Sequence, residues 1–152
     1  MTEQQPSFDA AKYKIAQRDQ WNKDADAWHR WNPALDRWVG NVTQKMLDMA
    51  IITTGQRILD IAAGAGEPAL SAAARVRPEG YVLATDIAED IIRLAQQVAD
   101  ERGIKQIETR LMDGGAEIQN GTWMRQQTIF AIPPTEKTRL YAAGPRKSRD
   151  YR

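Results

Sequence analysis

The residues best placed to do chemistry are Asp60, Gly64, Gly66, Asp86 and Asp113. Asp60 opens the stretch DIAAGAGEPA (60–69), which ends an apolar run and carries very little side chain. Glycines between a strand and a helix let a ligand lie against the backbone, where helix N–H groups can meet it. GAGEPA (64–69) fits the relaxed dinucleotide pattern G-x-G-x-x-A, and Asp86 follows Gly64 by 22 residues, the spacing of a ribose-binding acid. Asp60 speaks against a pyrophosphate. A carboxylate four residues ahead of the first glycine repels a like charge and attracts a ligand with a cationic amino-acid part.

These residues need strands and helices to hold them. RILDIA (57–62), YVLATD (81–86) and IETRLMD (107–113) read as short buried strands. Between them, PALSAAARV (68–76) reads as a helix of small residues with Glu67 near its start. Glu89 and Asp90 open a second helix with Ile91, Leu94, Ala95 and Val98 on one face, and Gly103 stops it. Strand–helix–strand–helix–strand is the unit of a doubly wound parallel sheet, which places all three acids at strand ends. Ahead of it, Asn32-Pro33 suits a helix start. Leu35, Trp38, Val39, Val42, Met46, Met49 and Ala50 then follow a helical spacing, and Gly55 closes the connection. Trp38 is expected to bury against the sheet. Trp21 and Trp28 stand equally as core or as an aromatic lid.

Composition narrows the chemistry. The 152 residues suit one ordinary domain, 42% hydrophobic and 27% charged. With no cysteine, disulfides, thiolate metal sites and cysteine nucleophiles are excluded. A single histidine, His29, leaves little scope for a histidine metal site or triad and is a poor candidate base. The N-terminus lacks the apolar core of a signal peptide, and no run reaches the roughly 20 apolar residues of a membrane span. A cytoplasmic protein without a membrane partner is the expectation. The net charge of +1 hides an asymmetry: residues 121–152 carry seven cations against two acids, and residues 1–120 fourteen against eighteen. That composition favours a solvated basic tail over a nucleic-acid partner.

The stretch DIAAGAG (60–66) resembles the first motif of the class I S-adenosylmethionine-dependent methyltransferases, with Ala62 at a place where that family commonly varies glycine. VLATDIAEDIIRLAQQVADERGI is similar to the family's second strand and following helix, and IETRLMDGGAEI to its third strand with a terminal acid. AWHRW and ILDIAAGAGEPALSAAARV are similar to small-molecule enzymes of the ubiquinone/menaquinone-biosynthesis type. The resemblance covers residues 20–118 and implies S-adenosyl-L-methionine as cofactor and a small-molecule methyl acceptor. It implies that Gly64 and Gly66 admit the methionine part, and that Asp60 orients its amino group. Asp86 would accept from the ribose hydroxyls, Ile87 would pack on adenine, and Asp113 would accept from the adenine amino group beside Gly114 and Gly115. Each acid also has a plainer reading: Asp86 as a helix cap, Asp113 as the start of a turn. No catalytic residue and no metal ligand follows from the resemblance.

The expected fold is α/β: a partial Rossmann-like sheet, strands 3-2-1 with a short fourth, preceded by N-terminal helices. Residues 1–55 form a helical arm or lid, 56–118 the cofactor half-domain, and 119–152 an atypical basic tail. The family's sheet has seven strands ordered 3-2-1-4-5-7-6, and after Glu117 that pattern is lost. The break reads as a truncated or altered C-terminus, which favours either an inactive enzyme or a non-catalytic cofactor-binding fragment. Only TIFAI (128–132), stopped by Pro133-Pro134, stands where it could cover the first strand. An uncovered buried-type strand is an edge that invites self-association.

Overall fold

The computed structural model describes residues 8–114 and the backbone of residues 128–132. Helix α1 (Ala10–Met49) leads into β1 (Arg57–Ile61), α2 (Ala69–Val76), β2 (Tyr81–Asp86), α3 (Glu89–Glu101), β3 (Ile107–Leu111) and β4 (Thr128–Ile132). The sheet order is β3-β2-β1-β4. β1 pairs parallel with β2 from Arg57↔Tyr81 to Ile61↔Thr85, and β2 pairs parallel with β3 from Val82↔Ile107 to Asp86↔Leu111. Both crossovers step the same way across the sheet. Right-handed connections therefore put α2 and α3 on one face.

That face holds the core. Ile58, Val82 and Ala84 meet Leu70, Ala73 and Val76 of α2 and Ile92, Ala95, Val98 and Ala99 of α3, all buried. Ala69, Ala72 and Ala73 are wholly buried. Small side chains there let α2 lie close on the strands, so a larger residue would force the layers apart. Leu47 at the end of α1 and Ile52 close the same core.

β4 runs antiparallel to β1, with Leu59 opposite Phe130 and Ile61 opposite Thr128. TIFAI does cover the free edge of β1. It does so as a returning strand rather than as the parallel fourth strand of a doubly wound sheet. The other assignments that fall after Gly114, including Gly115 and the basic tail, lie outside the described residues.

The N-terminal region differs from the sequence expectation. One helix of 40 residues replaces a helix that begins at Asn32-Pro33. Its cap is Asp9, whose carboxylate accepts from the Ala11 and Lys12 N–H groups at 3.1 Å. Asn32 is buried within the helix, and Pro33 removes one backbone donor without ending it. Contacts on both sides of Pro33 hold the helix in place. Asn22 Oδ1 accepts from the Asp90 N–H at 2.9 Å on one side; Arg102 reaches Asp36 at 2.8 Å and Arg75 reaches Asp48 at 2.7 Å on the other.

The buried face of α1 also differs. Ala25, Asn32, Thr43 and Leu47 are its buried residues, whereas Trp38 and Met49 are each 75% exposed and Val42 58%. Trp38 is therefore not a core residue. The apolar spacing of residues 35–50 marks a stripe on the outer side of the helix, because Thr43 and Leu47, which lie off that stripe, make the inward contacts. Trp28 is half-buried against Ala25, Ala88 and Ile91, with the Trp21 ring 5.9 Å away.

Candidate functional site

All the candidate residues sit at or just beyond the carboxyl ends of the parallel strands, where loops in such sheets receive ligands. Asp60 is the fourth residue of β1, beside Ala84. The loop after it is tied back to β2: the Ala63 N–H donates to the Thr85 carbonyl at 2.9 Å, and Thr85 Oγ1 donates to the Asp60 carbonyl at 3.1 Å. The Asp60 side chain is wholly buried and, among the described residues, neither carboxylate oxygen has a hydrogen-bond partner. Burial raises its pKa to about 8, helped by the negative charges of Asp86 and, more weakly, Glu67. The Ala69 N–H is a partial counterweight that does not close a hydrogen bond.

The loop itself is shaped by three left-handed residues. Ala62 has φ +61°, Gly64 +56° and Gly66 +114°. A Cβ at Gly64 would meet nothing within 4 Å, so this glycine borders open space. Gly66 is different: a Cβ there would lie 2.6 Å from Leu70 Cδ1 and 3.3 Å from Ala95 Cβ. Its side is filled by α2 and α3 of this chain. Ala62 is exposed and holds a conformation that costs an L-residue about 1–2 kcal/mol.

Asp86 joins the two loops. Its Oδ2 accepts from the Gly64 N–H at 3.0 Å and its Oδ1 from the Ala88 N–H at 2.9 Å. The Ala88 bond closes a local turn ahead of α3 and is not the helix cap that the sequence suggested for Asp86, since the cap position is Ala88 and no side chain caps that helix. A carboxylate has about four acceptor sites, so capacity for further donors remains. Ile87 follows, half-exposed. Asp113 lies past the end of β3, where Lys14 Nζ donates to its two oxygens at 2.7 and 3.0 Å. Gly114 is needed for a close approach within the chain: a Cβ would lie 2.7 Å from Ile61 Cγ2.

Asp60, Asp86 and Gly64 thus form one cluster, with Ile87 beside it and Asp113 two strands from β1. Lys14 and Asn22 are contributors that the sequence did not signal, since each meets a partner far along the chain. His29 lies elsewhere, on a polar cleft of about 340 Å³ between α1 and α3 that Asp26, Asp90 and Arg93 also line. Among the described residues, no group of His, Cys, Asp or Glu is arranged to hold a metal ion. No helix among them is long and apolar enough to cross a membrane.

Residues 52–127, half of the chain, match the methyltransferase domain family. The chain belongs to that family. Two curated relatives agree with this methyltransferase-domain assignment. Nocamycin O-methyltransferase of Saccharothrix syringae is 38% identical over 73 residues, 48% of this chain and 26% of the relative. Aklanonic acid methyltransferase of a Streptomyces species is 37% identical over 70 residues, 46% of this chain and 32% of the relative. The matched stretch thus spans about a quarter to a third of their length. Among solved structures, phosphoethanolamine N-methyltransferase 1 of Haemonchus contortus superposes with a TM-score of 0.54 at 21% identity. That alignment covers 70% of this chain and 23% of the other, and it shows the shared fold.

Proposed function

We propose that this methyltransferase domain binds S-adenosyl-L-methionine at the carboxyl ends of β1, β2 and β3. The observation that carries the reading is the bare Asp60 carboxyl group, fully buried next to a loop whose Gly64 opens onto free space. A buried polar group without a partner is costly, and a ligand's ammonium group would relieve that cost. Asp60 would hold the amino group, Gly64 and Ala62 would border the methionine part, and Asp86 would accept from the ribose. Ile87 and Asp113 would take the adenine. Gly66 and Gly114 would serve the site by letting the chain pack close behind it. The cofactor, when bound, supplies an electrophilic methyl group; the chain's own contribution is alignment and exclusion of water.

The acceptor proposed is a small molecule, in keeping with the names of the two curated relatives, and its nucleophile an oxygen, in keeping with nocamycin O-methyltransferase. Residues 1–55 would act as an arm across the site and 56–118 as the cofactor half-domain, whose sheet residues 128–132 join as β4. A second reading is a cofactor-binding unit without turnover. The antiparallel β4 favours it, since it takes the place of the parallel fourth strand. As the sheet's edge strand, β4 would also be the route to self-association.

Calorimetric titration with S-adenosylhomocysteine and with NAD tests the cofactor. Tighter binding of NAD, or no binding of S-adenosylhomocysteine, would overturn the reading. A methyl-transfer screen over small phenols and carboxylic acids then separates the two readings: turnover selects the enzyme, and binding with no turnover selects the non-catalytic unit.

A further inference from the structure

Among the described residues, Asp60 is an acid with no counter-charge. The groups that face it are Asp86 from the end of β2 and Glu67 from the loop ahead of α2, both carboxylates. Asp86 keeps its oxygens on two backbone N–H groups and donates nothing to Asp60. No oxygen of Asp60 accepts a hydrogen bond from the described residues, and none is exposed. An ionised carboxylate in such a place loses its hydration and gains back only the weak pull of the Ala69 N–H, whereas the neutral acid loses little.

We propose that Asp60 is held as a neutral carboxylic acid in the empty domain and releases its proton to solvent when a ligand's ammonium group arrives beside it. Binding is then an exchange of a proton for a cation. This rests on the cofactor reading above and deepens it: Asp60 becomes the residue that selects the amino-acid end of the ligand. A ligand without that end leaves the acid protonated and the position silent. The O–H bond of Asp60 breaks, its electron pair stays on the carboxylate, and the proton passes to the buffer.

Titration of the full chain in buffers of different ionisation enthalpy reads the exchange directly. With S-adenosylhomocysteine at pH 7, close to one proton should be released per ligand bound, falling towards zero above pH 9. 5′-Methylthioadenosine, which lacks the amino-acid end, should bind more weakly and release none. Asp60→Asn, the same size and permanently neutral, should release none with either ligand. It should lose at least tenfold in S-adenosylhomocysteine affinity at pH 9 and less at pH 6. Binding at pH 7 with no dependence on the buffer would overturn the proposal and leave the cofactor reading standing.

Absence of S-adenosylhomocysteine binding would instead defeat the cofactor reading. The neutral acid is then read without ligand from stability against pH. A folded-state pKa raised above the unfolded value gives stability that is full below the unfolded pKa, near 3.8, and is lost as pH rises to about 8. Wild type should therefore lose stability from pH 5 to 8 relative to Asp60→Asn. Parallel profiles would overturn the neutral acid by themselves.

Discussion

Replacing Asp86 by asparagine tests how far the loop after β1 depends on β2. The carboxylate accepts two backbone N–H groups, from Gly64 at 3.0 Å and from Ala88 at 2.9 Å. An asparagine side chain has one acceptor oxygen and one donor NH2. Whichever way it turns, one of the two N–H groups faces a donor. Asp86 is only 8% exposed, so water does not readily replace the lost partner. A buried donor left unpaired costs about 1–3 kcal/mol, and bonds to a charged acceptor lie at the upper end. Asp86→Asn should accordingly unfold with about 1–3 kcal/mol less stability in a urea titration. If Asp86 also receives the ribose, S-adenosylhomocysteine affinity should fall by about tenfold or more, the equivalent of 1.4 kcal/mol. A variant with wild-type stability would refute the two-bond account. Wild-type affinity in a folded variant would remove Asp86 from the cofactor site.

Gly64→Val should abolish S-adenosylhomocysteine binding while costing only about 1–2 kcal/mol of stability for a β-branched residue at φ +56°; retained affinity would show that the open side of Gly64 is not ligand space. Ala62→Gly should relieve strain at φ +61° and gain up to about 1 kcal/mol in urea unfolding, less the extra entropy of the unfolded chain. A clear loss of stability would contradict the left-handed backbone. Lys14→Ala should change stability by less than about 1 kcal/mol, since the pair with Asp113 is partly exposed. It should tighten S-adenosylhomocysteine binding a few-fold if Asp113 serves adenine, and unchanged affinity would argue that it does not. Light scattering over a concentration series should show association through the β4 edge; a monomer at all concentrations would count against that route.

The strands and the acids at their ends were legible because the signals are local. RILDIA, YVLATD and IETRLMD are short apolar runs bounded by turn residues, and each becomes a strand with limits close to those expected. Position 62 carried a clue as well, since a glycine-preferring place in the motif turns out to be left-handed. What stayed hidden depends on distant partners. The apolar spacing from Leu35 to Met49 implied a buried face, but which side of a helix packs is decided by the surface it meets. Here that surface accepts Thr43 and Leu47 and leaves Trp38 outside. The direction of β4 is equally invisible in TIFAI, because a short run rich in β-forming residues pairs in either sense. For Asp60, sequence revealed a charge that would attract a cation. Only burial shows that the charge is suppressed until the cation comes.

At 1.5 Å per residue, the 40 residues of α1 reach about 60 Å, and their contacts have an order in time as well as in space. Arg75 joins Asp48 across 27 positions of sequence and Gln44 across 31. Further up the helix, Arg102 joins Asp36 across 66 and Asp90 joins Asn22 across 68. Lys14 joins Asp113 across 99. Closing a longer loop costs more chain entropy and gains nothing until its far partner is in place. The helix should therefore dock from its carboxyl end upward, with the turns around Lys14 settling only after β3 has formed. Pulsed hydrogen exchange during refolding should protect amides near Leu47 before those near Lys14, and the reverse order would refute this zippering. The stretch over the strand ends is then the last part of α1 to be fastened and the first to be released.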